Sequence, residues 1–376
     1  MGRPPAAREG EPAVIKGIPL IAGLALRERR FTARASAEEL WSPLEVAASP
    51  SGRKALCDSK YSLADERAQR RFSAYVGQAR SFYLATIGID VLSRPLLAYY
   101  AILNLAKAWI TLCDPKTTES KILHGTVDRY KSKSRYYFSQ EELSFEKGGV
   151  FAEVAKRSAT GFFYAQRKDV AVADLAPYLA ETHDEYEGSI DKPPKLIPLK
   201  HLEVCRGTNS GSSGGQLWLR ARVSKDVLTA RNISGSRLLD HAYHFGEQFE
   251  QVSIAGQDSC HVYETKPVPY KGRNPSSAVP GLIEIFEDSL IHVNRSAGTH
   301  RYFLVLEELH SLLSQEAVAF AVLNHLSNMV RYRPDQVERL AAEKWSWLLG
   351  TWVPRVIENG LLTYATRILD EEMRIY

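Results

Sequence analysis

The sequence predicts an α+β fold: an α-rich body built on a buried central helix, with a mainly antiparallel β region inserted before a C-terminal helical block. Three observations predict it. Residues 96–110 are almost all apolar, which is typical of a helix that is buried on most sides. Residues 196–306 contain several short runs with strand-like patterns, and a helical pattern returns from residue 307. At 376 residues the chain is long enough for one large or two ordinary domains.

We predict four regions along the chain. Residues 1–58 form an N-terminal extension rich in Pro, Ala, Gly and Arg, which is partly disordered, above all in its first dozen residues. Residues 59–190 form a helical core region with a short β-hairpin, and residues 191–306 form the β-rich region. Residues 307–376 form C-terminal helices that pack back on the core, because apolar side chains recur in them at helical spacing.

The core region begins with two helices. Residues 62–89 have apolar side chains at helical spacing after a capped, acidic first turn. Ser93 is expected to cap the central helix, and Pro95 suits its first turn because the missing N–H does no harm there. Pro115 ends this helix, since proline cannot continue the hydrogen-bond ladder.

Periodicity and turn residues predict the shorter elements that follow. The predicted strands are residues 135–138 and 143–145, which form the hairpin, and then 217–223, 261–264, 282–286, 290–293 and 302–306. The predicted helices include a short one from residue 150, then 174–186, 236–252, 318–330 and one that starts at 335–340, with a break or kink at Pro354.

Composition limits the classes of function. The chain has 44% hydrophobic and 24% charged residues, as globular proteins do, and a net charge of +4 does not by itself indicate nucleic-acid binding. Its four cysteines lie far apart without a Cys-x-x-Cys pair, so we predict no metal site, no disulfide framework and reduced thiols in a cytoplasm. No cofactor is predicted. Lys107 interrupts the central helix before it reaches membrane-spanning length, and the apolar residues 17–26 lack a cleavage site, so we expect no membrane segment and no signal peptide.

Four polar residues interrupt the central helix in a regular order. Tyr100, Asn104, Lys107 and Thr111 follow at intervals of four, three and four, so they form one stripe on an apolar rod. Three interpretations fit this stripe. It is the solvent-facing side of the helix, the rim of a pocket that includes Asn104 and Lys107, or a polar contact with another helix.

His124 lies in a turn beyond the central helix. The glycine after it, Gly125, indicates a tight turn or a close backbone approach that would hold the imidazole near the end of the buried helix. A histidine in a turn is either a surface residue or a group that transfers protons in catalysis. Arg129 begins a basic run, residues 129–135, that is either a solvated face or attracts phosphates.

These residues lead to a binding hypothesis: a basic pocket beside the central helix recognises an anionic ligand, either a nucleotide or RNA. The basic residues would supply charge, and tyrosines would stack a base. The alternative for the two late arginines is a structural role at a helix C-terminus, where positive charge is favoured. The residues of the hypothesis are Asn104, Lys107, His124, Arg129, Arg331 and Arg333, with Tyr99, Tyr100 and Tyr332 as the stacking rings.

The central segment resembles a known family. The order PLLAYYAILNLAKAWITLCDP, then ILHGTV, then a basic turn, then YYFSQEELSFEKGGVF is similar to that of the YaaC-like family of bacterial proteins. The preceding ARSFYLA fits the same pattern, as do the late RYRPDQVERL and WVPRVI. The resemblance implies no catalytic residue, because the family has no established biochemical activity.

Two other classes of function stay open on the sequence. Two Arg-to-His spacings, Arg237 to His244 in a predicted helix and Arg295 to His300 in a predicted turn, resemble the Arg-x4–6-His pattern of HEPN ribonucleases. In such a homodimeric, metal-independent enzyme of stress or phage response, His would take a proton from a ribose 2′-hydroxyl while Arg stabilised the phosphorane. The other class is a scaffold or regulatory protein without turnover. The glycine-rich residues 207–216 do not predict a nucleotide site, since they lack the Gly-Lys-Ser/Thr end of a P-loop.

Overall fold

The structure is a computed structural model whose helices and antiparallel sheets confirm the α+β prediction. It describes residues 4–15, 18–19, 28–31, 35–59, 65–118, 123–129, 138–158, 169–208, 214–242, 244–256, 259–272, 275–294, 300–306, 314–369 and 372–375. The chain divides into two compact units. The helical unit comprises Arg29–Lys192, Arg295–Thr299 and Leu312–Tyr376, and the sheet unit comprises Met1–Glu28, Pro193–Asn294 and His300–Ser311.

The α-helices of the described residues differ from the prediction mainly at their ends. Asp65 caps the helix that precedes the central one, accepting bonds from the backbone N–H groups of Arg67 and Ala68, whereas Ser93 makes no side-chain cap bond. In chain order the helices are α1 (Ala37–Ala48), α2 (Pro50–Ser59), α3 (Glu66–Ala85), α4 (Arg94–Cys113), α5 (Val150–Ser158), α6 (Val172–Leu175), α7 (His183–Ser189), α8 (Lys225–Thr229), α9 (Gly235–His241), α10 (Phe245–Gln248), α11 (Val279–Ser289), α12 (Gln315–Tyr332), α13 (Pro334–Ala342) and α14 (Val353–Leu369).

The described strands form small antiparallel sheets. The strands are β1 (Glu11–Pro12), β2 (Val14–Ile15), β3 (Ile18–Pro19), β4 (Glu28–Phe31), β5 (Thr126–Asp128), β6 (Glu142–Phe145), β7 (Asp169–Ala171), β8 (Leu196–Pro198), β9 (His201–Thr208), β10 (Gly215–Ser224), β11 (Phe249–Val252), β12 (Cys260–Thr265), β13 (Val268–Tyr270), β14 (Ile291–Asn294), β15 (His300–Val305) and β16 (Glu372–Ile375). The largest sheet has the order β1-β9-β10-β12-β11, with β13 also paired to β10, and the helical unit contains the three-stranded sheet β5-β6-β7.

The central helix α4 is the core of the helical unit, where it contacts α3, α12 and α14. Most of its residues are buried, as the apolar run predicted. Among the described helices, α4 is the one that could cross a membrane by length and composition, so Lys107 does not shorten it as expected. However, 72% of its most apolar window is buried inside the protein, which is the pattern of a core helix.

The main sheet of the sheet unit is buried on both faces. In β10, Leu217, Leu219 and Val223 face a core that helices α9 and α11 complete. Residues 217–223 alternate apolar and basic side chains, a pattern that predicts a half-exposed strand, but Trp218 and Arg220 on the other face are also buried. The prediction was wrong there because a distant segment of the chain covers this face.

That segment is the N-terminus. The Arg8 guanidinium lies 3.2 Å from the buried Glu264 carboxylate. Gly10 lies so close to Trp218 that a Cβ on Gly10 would come within 2.3 Å of the indole ring. Residues from this segment pair with β9 and contact buried charged and aromatic groups of the sheet.

Several short elements differ from their predictions for local reasons. Residues 282–286 belong to α11 and not to a strand, since Pro280 lies in the first helical turn and starts a helix. The predicted helix 236–252 ends at His241 and turns at His244, whose φ is 52°, before β11. The predicted helix 174–186 is divided into shorter helical turns around Pro177.

The hairpin prediction was partly wrong. Residues 143–145 lie in a strand, β6, but its partners are β5 and β7. Phe138 begins a 3₁₀ turn, and residues 135–137 lie outside the described part of the chain. The predicted strands 217–223, 261–264, 290–293 and 302–306 correspond to β10, β12, β14 and β15.

Candidate functional site

The polar stripe of α4 faces other parts of the helical unit. Asn104 and Thr111 are buried, and Tyr100 and Lys107 are half-buried. The Asn104 amide donates to the Tyr100 carbonyl at 2.8 Å, and the Thr111 hydroxyl donates to the Lys107 carbonyl at 2.7 Å. The solvent-facing interpretation is therefore wrong. The Asn104 amide already donates within its own helix, so Lys107 and Tyr100 are the residues of the stripe whose side chains are available to contact a ligand.

The turn that carries His124 is anchored to the start of α5. The His124 carbonyl accepts a bond of 2.9 Å from the backbone N–H of Phe151. Gly125 has a φ of 86°, and a Cβ on Gly125 would lie 2.8 Å from the Gly148 carbonyl oxygen, so both the conformation and the space require glycine. The imidazole is fixed by this turn, but it packs on Tyr99 (5.4 Å between ring centroids), in the first half of α4 and not near its end.

Two basic side chains change the pKa of the His124 imidazole. Partial burial and the positive charges of Lys107 and Arg331 lower the pKa of His124, so the ring is neutral at pH 7. Burial also lowers the pKa of Lys107. Among the described residues, no carboxylate lies within ion-pair distance of Lys107 or Arg331. We call Lys107, His124 and Arg331 the basic cluster.

A buried hydroxyl lies beside the basic cluster. Tyr99 is completely buried against His124 and Phe320, and its hydroxyl has no hydrogen-bond partner in the part of the chain that the structure describes. Burial raises the pKa of Tyr99, so the group remains a neutral donor. A buried polar group without a partner costs about 1–3 kcal/mol. A bound oxygen atom or water molecule that accepted from it would recover that cost.

Arg331 also joins two tyrosine rings. Its guanidinium carbon lies 5.9 Å from the ring centroid of Tyr100 and 5.0 Å from that of Tyr332. Tyr100 also stacks on Phe82, with the centroids 5.1 Å apart. Tyr332 is 67% exposed. The structure thus brings together Lys107, His124 and Arg331 of the binding hypothesis with all three of its tyrosines.

The two other predicted ligand-binding arginines already have carboxylate partners. Arg333 lies 2.6 Å from Glu141 and 3.1 Å from Asp128, and its side chain is only 11% exposed. Arg129 lies 3.6 Å from Asp169. Because these counter-ions neutralise them, Arg333 and Arg129 do not join the basic cluster. Arg333 therefore has structural contacts, which are ion pairs with two carboxylates rather than the contact with a helix C-terminus that the alternative described.

Sequence reasoning missed a buried Asn-His pair in α12. Asn324 donates to the Thr126 hydroxyl. Its side chain also interacts with the His124 imidazole, and this interaction opposes the lowering of the pKa of His124. The neighbouring His325 is completely buried, with its Nδ1 3.1 Å from Asp128 Oδ1. The available signal was the occurrence of two consecutive polar residues within a run of apolar ones, since buried polar groups need partners.

The Arg-to-His spacings do not form a shared helical motif. Helix α9 carries Arg237 but ends before His244, which instead lies 3.1 Å from Glu247. Arg295 lies outside the described residues. Within those residues there is no group of three or more His, Cys, Asp or Glu side chains that could hold a metal ion.

Fold and site together define an α+β protein whose helical unit presents basic and aromatic side chains around a central helix. The chain belongs to the YaaC-like protein family, whose model matches residues 47–350, and this confirms the resemblance of the central segment. Comparisons with curated proteins and with solved structures give no match. Family membership brings no catalytic residue.

Proposed function

We propose that the helical unit binds an anionic, phosphate-bearing ligand, a nucleotide or RNA, at the basic cluster. The observation that carries the proposal is that Lys107 and Arg331 both act on His124, while no carboxylate among the described residues neutralises either of them. Both positive charges lower the pKa of the same imidazole, and an oxyanion bound beside it would offset them.

Each member of the cluster suits such a ligand in a different way. Lys107 is half-buried, so its ammonium group has lost part of its hydration without gaining an acidic partner. Arg331 presents a planar set of donors that matches the oxygens of a phosphate. His124 is neutral and donates from one ring nitrogen, so it can contact an oxyanion without adding to the repulsion.

A thermal-shift titration of the full chain with inorganic sulfate, inorganic phosphate, nucleotides and short RNAs tests the proposal. Saturation at about 100 times the dissociation constant stabilises a protein by about 2.7 kcal/mol. We expect Lys107→Met and Arg331→Gln to remove this stabilisation, since both changes keep much of the side-chain volume and delete the charge. The matched controls Lys116→Met and Arg70→Gln alter exposed basic residues of the same unit and should keep it.

Three outcomes separate the proposal from its alternatives. If no anion stabilises the protein, or if Lys107→Met responds like the unmodified chain, the basic cluster is not an anion site. The scaffold function would then be the better explanation. Cleavage of bound RNA in the presence of a metal chelator, lost in His124→Gln, would instead favour a metal-independent ribonuclease.

A further inference from the structure

Four side chains of the helical unit form a continuous row, which we call the aromatic row: Phe82, Tyr100, Arg331 and Tyr332. The first two rings stack at 5.1 Å, and the guanidinium follows at 5.9 Å from Tyr100 and 5.0 Å from Tyr332. In this row one planar cation contacts two tyrosine rings, and the first of these rings also stacks on Phe82. Arg331 belongs both to this row and to the basic cluster, so the two features meet at one side chain.

Tyr332, at the outer end of the row, is exposed, and the helix end that carries it is held by several contacts. Tyr332 is 67% exposed, whereas every other Phe, Tyr and Trp side chain whose burial the structure describes is buried or half-buried. The next residue, Arg333, is held by Asp128 and Glu141, and its backbone N–H donates to the Met329 carbonyl at 2.8 Å. The helix end that presents Tyr332 is therefore fixed in place, and a fixed ring loses little entropy when a ligand binds to it.

We propose that the ligand of the basic cluster is a nucleotide whose base stacks on Tyr332 and Arg331. The inference rests on the proposed function, because the same cluster holds the phosphate. A nucleobase offers a flat π face that both an aromatic ring and a guanidinium plane accept, and this stacking tolerates any base. Inorganic phosphate or a sugar phosphate would leave Tyr332 without a contact. One exposed ring beside one basic cluster matches one nucleotide.

Calorimetric titrations of the full chain with inorganic phosphate, ribose 5-phosphate and the four nucleoside 5′-monophosphates test the inference. One stacked base raises affinity by about 5- to 150-fold. We expect nucleotides to bind with an affinity higher than that of ribose 5-phosphate by such a factor. Tyr332→Ala should abolish this difference in affinity, while phosphate and ribose 5-phosphate bind as before. Tyr332→Phe keeps a ring and should keep the difference. Ile87→Ala shortens a side chain of similar exposure (62%) and should change no affinity.

Each contrary result has a distinct meaning. Equal affinities for ribose 5-phosphate and nucleotides, or a difference that survives Tyr332→Ala, would overturn base stacking and leave the phosphate site intact. Failure of all three kinds of compound and of a tetraribonucleotide to bind would overturn the proposed function, and the inference with it. Binding of a tetraribonucleotide without binding of any mononucleotide would overturn the assignment to a single nucleotide.

Discussion

Arg331 and Arg333 lie two positions apart at the end of α12, yet the structure gives them different roles. Arg333 is enclosed between Asp128 and Glu141, whereas Arg331 is exposed beside Tyr332. We predict that Arg333→Ala strongly destabilises the helical unit and that Arg331→Ala changes its stability little. The pair thus separates an arginine that stabilises the fold from one that is available to a ligand.

The magnitudes follow from burial. The side chains of Arg333, Asp128 and Glu141 are 11%, 16% and 9% exposed, so Arg333→Ala leaves two largely buried carboxylates without their cation. Breaking a buried ion pair from one side costs about 3–5 kcal/mol. His325 still contacts Asp128 and offsets part of the loss, so we expect about 3 kcal/mol. The exposed cation–π contacts of Arg331 are worth about 0.5–1 kcal/mol.

Urea unfolding followed by tryptophan fluorescence measures these differences. Five of the six tryptophans (Trp41, Trp109, Trp345, Trp347 and Trp352) belong to the helical unit, so the signal reports mainly on that unit. Arg70→Ala, which removes an exposed pair with Glu66, is the control and should cost less than about 0.5 kcal/mol. Adding Asp128→Asn and Glu141→Gln to Arg333→Ala should recover much of the loss, because the uncompensated charges disappear.

The reasoning would be refuted by a cost below about 1 kcal/mol for Arg333→Ala, or by an equal cost for Arg331→Ala, since buried pairs and exposed contacts differ by more than that. A triple variant no more stable than Arg333→Ala alone would show that lost packing, rather than charge, explains the effect.

Three further predictions concern the turn, the imidazole and the thiols. Gly125→Ala should destabilise the protein more than Gly88→Ala in urea unfolding, because both have positive φ (86° and 80°) but only Gly125 has a close neighbour; equal losses would contradict this. The pKa of His124 is lowered, so the unfolded chain binds more protons below pH 6.5 and stability falls as the pH falls. His124→Gln should therefore reduce the fall in melting temperature between pH 7 and 5. An unchanged fall would contradict the contribution of His124 to this pH dependence. Burial raises the pKa of Cys205 to about 12, so native protein treated with iodoacetamide should be alkylated at the exposed Cys113 and not at Cys205, as mass spectrometry of peptides would show.

Much of the architecture could be predicted because it depends on local patterns. The apolar run of α4 indicated a helix buried on most sides, since a segment with so little polar surface has to be covered. The alternation in β10 indicated a strand, and the Gly125 turn was recognisable because glycine alone tolerates its φ at little cost. Lys107, His124 and Arg331 could also be recognised from the sequence as candidate site residues, because basic residues next to an apolar helix are easily identified.

What the sequence could not determine was which of these side chains already have partners. Arg333 is neutralised by residues 192 and 205 positions away, so only the tertiary structure separates it from Arg331. The N-terminal segment is a similar case, because Arg8 meets Glu264 across 256 positions. Secondary structure follows from neighbours along the chain, whereas the pairing of charges depends on contacts between distant segments. The composition of the basic cluster was therefore decided by the fold.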